Sequence, residues 1–154
     1  MNRELHNQKT LEAICKDLAN YQSGIFLTLK ASHSNKFRFE TQLQSISNYL
    51  NEYCYGKSYK KKLKQLRIVA TTQIDEINQG LHANVTIMFN NDMVKTLQEL
   101  KDFIKRNWCK IIGAKFSNAN KLMDVRPIVD VHSTIEFSLK SFNYKHQELN
   151  LVYL

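Results

Sequence analysis

Apolar and polar residues alternate most regularly between residues 66 and 89, in two runs separated by a polar loop that ends at Gly80. A period of two is typical of strands that bury one face, so we predict central strands at 66–73 and 82–89. In the second strand, one face points toward a core and the other is expected to be partly open. The core face holds Ala83, Val85, Ile87 and Phe89, and the opposite face holds His82, Asn84, Thr86 and Met88.

Helical spacing of apolar residues predicts helices on either side of these strands. In chain order we expect a helix at 8–21 ended by Gly24, a strand at 25–30, a helix at 40–55 ended by Gly56, and the two central strands. After them we expect a helix from Met93 to Trp108 with an N-cap among residues 90–92, a short strand at 109–116 and a strand at 122–130. A further helix is capped by Asp130 or Ser133 and buries Ile135, Leu139 and Phe142. The last predicted element is a strand at 148–154. Trp108 is expected to anchor the core.

This order of elements predicts an α+β fold. We expect a single domain over residues 1–154, built on a central antiparallel five-stranded sheet with helices on its faces. The length of 154 residues suits one core and not comfortably two.

The net charge of +8 predicts a polyanionic partner, since Lys and Arg gain affinity by releasing counterions from phosphates. Much of the charge is clustered in KSYKKKLKQLR, at residues 57–67. Aromatic residues flank it, and Tyr55 and Tyr59 are candidates for stacking on unpaired bases. The predicted nucleic-acid contacts are Lys57, Tyr59, Lys60, Lys61, Lys62, Lys64 and Arg67.

Several classes of protein are excluded or disfavoured. No apolar run approaches the length of a membrane span, and the polar start MNRELHNQKT does not resemble a signal peptide, so we expect a cytoplasmic protein without a membrane partner. The three cysteines form no C-x-x-C pair, which disfavours a zinc site. Phosphate-binding glycine loops and a nucleophile elbow are absent from the sequence.

Three stretches resemble motifs of the HUH endonucleases, specifically the Rep-type initiators of rolling-circle replication. FLTL at 26–29 resembles the first motif, and GLHANVTI at 80–87 resembles the metal-binding strand. IEFSLK at 135–140 resembles the helix that carries the nucleophilic tyrosine and a lysine. The resemblance implies an HUH domain, a relative of the ferredoxin-like folds, from a plasmid, phage or mobile element.

The resemblance also implies a chemistry. In the family, strand histidines and a third ligand hold a divalent metal that polarises a phosphate, while a tyrosine attacks and becomes linked to DNA. By this comparison Mg²⁺ or Mn²⁺ would bind at His82, Asn84, Gln73 and Asp75, and Lys140 would lie near the phosphate. The implied partner is single-stranded or hairpin DNA.

The sequence departs from the family pattern at each chemical position. Asn84 stands where the second histidine is expected, and Phe137 stands at the position of the tyrosine. A phenyl ring has no oxygen to attack phosphorus. Three explanations are open: natural loss of nicking, deliberate inactivating substitution, or replacement of the nucleophile by Tyr144, two turns along the same helix face.

Two functions of different classes follow from these observations. The favoured one is a Rep-derived nucleic-acid-binding domain with lost or impaired nicking, and with no metal if the site is vacant. The alternative is an active metal-dependent nickase. A Rep-derived protein that regulates or inhibits a protein partner is a further possibility.

Overall fold

The computed structural model describes residues 3–18, 21, 23–31, 33, 35–61, 65–74, 80–89, 95–130, 132–134 and 150–153. Helices and strands account for most of them. In chain order they are α1 (Arg3–Leu18), β1 (Ser23–Lys30), α2 (Lys36–Tyr55), β2 (Arg67–Ile74), β3 (Leu81–Phe89), α3 (Leu97–Ile112), a 3₁₀ turn (Phe116–Asn118), α4 (Ala119–Leu122), β4 (Met123–Pro127) and β5 (Asn150–Tyr153).

The strands form one antiparallel sheet in the order β4-β1-β3-β2-β5. From β1 to β4, leaving aside the short α4, the elements follow the β-α-β-β-α-β order of the split βαβ motif. The predicted α+β class, with helices packed on an antiparallel sheet, is confirmed.

The main core lies between one face of the sheet and helices α2 and α3. Trp108 on α3 is fully buried in it, as predicted, and meets the ring of Phe39 on α2 edge-on at 6.1 Å between centroids. Alternate residues of the strands supply the sheet side, among them Leu27, Val85 and Ile87. The period of two in the sequence therefore identifies the buried face correctly.

A smaller core lies on the opposite face, where Ile14 and Leu18 of α1 pack on Val69 and Met88. At this end of the sheet Gly24 is required for close approach, because a Cβ atom there would clash with the side chain of Met88 and the carbonyl oxygen of Ile87. Gly24 was expected to end the first helix. Instead α1 ends at Leu18 and Gly24 belongs to β1.

The predicted strand at 109–116 is wrong, because α3 continues through Cys109 to Ile112. Leu100, Ile104, Trp108 and Ile112 recur every four residues and keep one helical face against the sheet. Gly113 ends the helix in the left-handed region at φ 71°, and its N–H donates to the carbonyl oxygen of Cys109.

Other element boundaries differ less from the predicted ones. Gly56 caps α2 as expected, while the start of that helix lies earlier, at Lys36 behind the N-cap Asn35. The N-cap predicted at residues 90–92 is wrong for the helix observed, which Thr96 caps. The helix predicted over Ile135, Leu139 and Phe142 lies outside the described residues.

Candidate nucleic-acid interface

The sheet brings together the strands that carry the first two motif-like sequences. β1, which contains FLTL, is the antiparallel neighbour of β3, which contains LHANVTI, the second motif without its first glycine. Thr28 pairs with Asn84 and Lys30 pairs with His82. Directly opposed residues on one face of an antiparallel pair have Cβ atoms about 5 Å apart. Polar groups from the two segments are therefore neighbours, although more than 50 residues of chain separate Lys30 from His82.

Polar residues continue across the sheet in a transverse row. Thr28 pairs with Asp124 of β4 on one side, and Asn84 pairs with Thr71 of β2 on the other. The hydroxyl of Thr71 donates to the backbone oxygen of Asn84 at 3.3 Å. The row consists of Asp124, Thr28, Asn84 and Thr71, and it lies on the face opposite the main core.

The centre of this face is buried, contrary to the expectation of an open face around Asn84. Asn84 is 6% exposed, and Thr71 and Thr86 are buried still more deeply. His82, at the start of β3, is half-buried, and its neighbour Lys30 is exposed. The accessible part of the polar face therefore lies toward Lys30 and His82 and along the β1–β4 edge.

Only part of the divalent-metal site that the resemblance implies lies within the described residues. Among the described residues, no group of three His, Cys, Asp or Glu side chains could hold a metal ion. The cross-strand partners of His82 are Lys30 and Gln73, and a lysine ammonium group repels a cation. Asp75 lies outside the described residues, as do Phe137, Lys140 and Tyr144, the predicted catalytic positions.

A cavity of about 520 Å³ opens at the β1–β4 edge of this face. Phe26 and Arg126, which are cross-strand partners, lie on its wall together with Ser133. Arg126 donates to Asp124 at 2.6 Å, within an exposed ion pair. Phe26 belongs to the FLTL motif but was not predicted as a site residue, and Arg126 was given no role. Strand alternation could have identified both residues as site candidates, because they lie on the non-core face of their strands.

Asp130, one of the two predicted caps, caps the helical residues 132–134, which border this cavity. The carboxylate of Asp130 accepts from the hydroxyl of Ser133 at 2.9 Å and from the backbone N–H of His132 at 3.0 Å. These hydrogen bonds, with that of Ser133 the strongest, hold the pKa of Asp130 below its ordinary value.

The lysine-rich run predicted to bind nucleic acid, at residues 57–67, is only partly an exposed surface. Lys57, Lys60 and Lys61 are exposed directly after α2, whereas Lys62 and Lys64 lie outside the described residues. Arg67 donates to Asp17 of α1 at 2.7 Å and so ties β2 to that helix. We name residues 57–61, which carry these three exposed lysines, the basic segment.

Tyr59 is buried, which corrects the prediction that its ring stacks on a base. It is 5% exposed, and its hydroxyl donates to Oδ1 of Asn48 at 3.3 Å. The ammonium of Lys60 lies 5.8 Å from the centre of its ring. Tyr59 therefore anchors the basic segment on α2, and Tyr55 is itself half-buried against the main core.

A groove of about 380 Å³ between α2 and α3 adjoins the basic segment. We name it the α2–α3 groove. Tyr49, Glu52 and Tyr53 of α2 line it together with Lys57, and Phe103 and Asn107 line it from α3. The rings of Tyr53 and Phe103 stack at 4.2 Å between centroids with 10° between their planes. Tyr49 is 44% exposed, whereas Tyr53 is half-buried.

No protein-family model, curated protein sequence or solved structure matches this chain significantly. No matching protein therefore supports the resemblance to Rep-type initiators. Within the described part of the chain, no helix combines the length and the apolar character needed to cross a bilayer.

Proposed function

We propose that this domain binds single-stranded nucleic acid and descends from a Rep-type initiator of rolling-circle replication that no longer nicks DNA. The observation that carries the binding proposal is the exposed basic segment. Lys57, Lys60 and Lys61 are exposed there, and the sequence has no Asp or Glu between residues 53 and 74. A run of exposed lysines in a segment that contains no Asp or Glu is suited to phosphate contacts.

The strand order supports the proposed descent. It makes β1 and β3, the strands with motif-like sequences, antiparallel neighbours within a β-α-β-β-α-β arrangement. Such an arrangement would hold the first two motifs of an initiator on one face of a sheet.

Loss of nicking follows from two departures in the sequence and one feature of the sheet. Phe137 replaces the attacking hydroxyl with a hydrocarbon ring, and Asn84 replaces an imidazole ligand. Lys30 lies beside His82 and adds positive charge where the family needs a cation to bind. A lysine and a histidine together suit a phosphate group better than a divalent metal.

Binding can be tested by fluorescence anisotropy of labelled single-stranded DNA and RNA titrated with the protein at several salt concentrations. Each phosphate contact contributes about −0.7 to the slope of log K against log salt for single strands. We expect the triple variant Lys57→Ala, Lys60→Ala, Lys61→Ala to bind more weakly and to have a slope less negative by roughly 2.

The matched control removes the same charge elsewhere, at Lys9, Lys36 and Lys121, which are exposed on other elements. This control variant should retain most of its affinity for nucleic acid, because the three lysines of the basic segment remain in place. Equal losses in both triple variants would contradict it. Absence of binding to DNA and RNA alike at low salt would also overturn it and would favour a protein partner.

A further inference from the structure

The α2–α3 groove has the chemistry of a stacking site for nucleic-acid bases. Tyr53 and Phe103 stack on each other in the wall of the groove, and Tyr49, one helical turn before Tyr53, is 44% exposed and offers its ring to a base. Every nucleic-acid base has a π-face, so proteins that bind single strands stack bases on aromatic side chains whatever the sequence.

The charges around the groove favour a polyanion over an apolar partner. The ammonium of Lys95 lies 4.3 Å from the centre of the Tyr53 ring, and Lys57 stands on the groove wall. Lys57 belongs both to the basic segment and to the wall of the groove, so the aromatic groove adjoins the lysines. Interleaved aromatic and basic groups of this kind can hold bases and phosphates of the same strand.

We propose that the α2–α3 groove receives unpaired bases of a single-stranded nucleic acid whose phosphates follow the basic segment. The proposal rests on the proposed binding function and assigns it a specific site. Tyr49 stacks on a base at the open side of the groove, beside the Tyr53–Phe103 pair. Glu52 is the one acidic group among the lining residues named, and it opposes the approach of phosphate.

The test compares Tyr49→Ala with Tyr49→Phe in the anisotropy assay. Tyr49→Ala should weaken binding by roughly 5- to 100-fold, whereas Tyr49→Phe keeps an aromatic face and should bind as the original protein does. The salt slope should stay unchanged in both, because neither variant removes a phosphate contact. Equal thermal unfolding midpoints by circular dichroism would establish that the exposed ring was removed without loss of fold.

Direct evidence of stacking comes from an oligonucleotide that carries 2-aminopurine. We expect its fluorescence to fall on binding to the original protein and to Tyr49→Phe, and to fall much less with Tyr49→Ala. Glu52→Gln should tighten binding by roughly 1.5- to 5-fold, the range for an exposed charge pair. An unchanged or lower affinity of Glu52→Gln would contradict the assigned path of the phosphates.

Failure of this inference differs from failure of the proposed function. If Tyr49→Ala binds normally while the triple lysine variant does not, the groove is not the base site although nucleic-acid binding stands. If no nucleic acid binds, both proposals fail. If the protein is a dimer by light scattering and Tyr49→Ala converts it to a monomer, the groove binds a second copy and the inference is wrong.

Discussion

Trp108 joins the helical layer to the sheet by a hydrogen bond as well as by packing. Its indole Nε1 donates to the carbonyl oxygen of Lys30 at 3.0 Å, and the side chain is fully buried. Lys30 is the residue that opposes His82, so the bond fixes the end of β1 at the accessible part of the polar face.

Replacement of Trp108 by Phe should lower the free energy of unfolding by about 2 kcal/mol. The smaller ring leaves a cavity, and the carbonyl of Lys30 loses its side-chain donor. Urea unfolding followed by circular dichroism measures the change. Val129→Ala is the control, since Val129 is 97% exposed and its loss should change stability by less than about 0.5 kcal/mol. A similar stability for Trp108→Phe and the original protein would contradict a structural role for the indole bond.

Cys54 should make stability depend on alkaline pH. Burial raises the pKa of its thiol from 9.0 to about 11, although the nearby Lys95 acts in the opposite direction. Because the folded pKa is the higher one, the neutral thiol stabilises the fold fully below pH 9, and this contribution is lost as the pH rises toward about 11.

The measurement is the difference in unfolding free energy between the original protein and Cys54→Ala at a series of pH values. This difference in unfolding free energy should be constant below pH 9. Between pH 9 and about 11 the original protein should lose stability relative to Cys54→Ala. Alkylation of Cys54 by iodoacetamide, followed by mass spectrometry of peptides, should likewise be half-maximal near pH 11. A midpoint near 9 would show that the thiol is solvated.

At single positions, strand alternation predicted the face of a side chain better than its exposure. It put His82 and Asn84 together on the non-core face, which the cross-strand partners confirm. The burial of Asn84 could not be predicted, because burial of that face depends on which other segments cover it. Tyr59 was misread for a related reason, since its partner Asn48 is eleven residues away on α2.

At the scale of elements, α3 owes its start to a reciprocal pair of hydrogen bonds. The hydroxyl of Thr96 accepts from the backbone N–H of Glu99 at 3.1 Å, and the carboxylate of Glu99 accepts from the backbone N–H of Thr96 at 2.7 Å. This capping box has a sequence signature, T-x-x-E, that outweighs the Asn and Asp residues preceding it. The predicted start of the helix was wrong because Asn, Asp and Thr can all cap a helix, and the residue type alone does not decide which one does.

Thr96→Ala should destabilise the protein by about 1 kcal/mol, and Glu99→Ala by a similar or smaller amount. The double variant should lose less than the sum of the two, because each side chain supports the geometry of the other. Thermal unfolding of all four proteins gives this cycle. Thr96→Ser retains the hydroxyl and serves as the control. Additive losses would show that the two bonds act independently.

The extent of α3 shows how a local pattern can point to two structures. The apolar residues Cys109, Ile111 and Ile112 fit a short strand when read alone, and they fit a helix when the spacing from Leu100 is continued. The helix prevails because Trp108 and Ile112 then lie on the face that packs against the sheet. A periodicity carried across the whole segment would have predicted this.

At the scale of the whole molecule, the sequence predicted the class of fold and the adjacency of the two central strands, which pair as β2 and β3, but not the order of the other strands. Periodicity assigns a face to each strand, whereas the order β4-β1-β3-β2-β5 depends on how α2 and α3 cross the sheet. That order places Lys30 beside His82 and separates the polar face from the α2–α3 groove, which lies in the helical layer. Only the fold reveals that the basic segment adjoins the groove.

The proposed loss of nicking leads to a final prediction for the complete chain. With Mn²⁺ and labelled single-stranded or hairpin DNA, the original protein should form no covalent adduct, since Phe137 cannot attack phosphorus. Phe137→Tyr should also form none, because Lys30 beside His82 disfavours a divalent cation and Asn84 replaces an imidazole ligand. Denaturing gels detect an adduct as a labelled band at the mass of the protein, and anisotropy verifies that each variant still binds DNA. An adduct with the original protein that Tyr144→Phe abolishes would assign the nucleophile to Tyr144 and make the domain an active nickase.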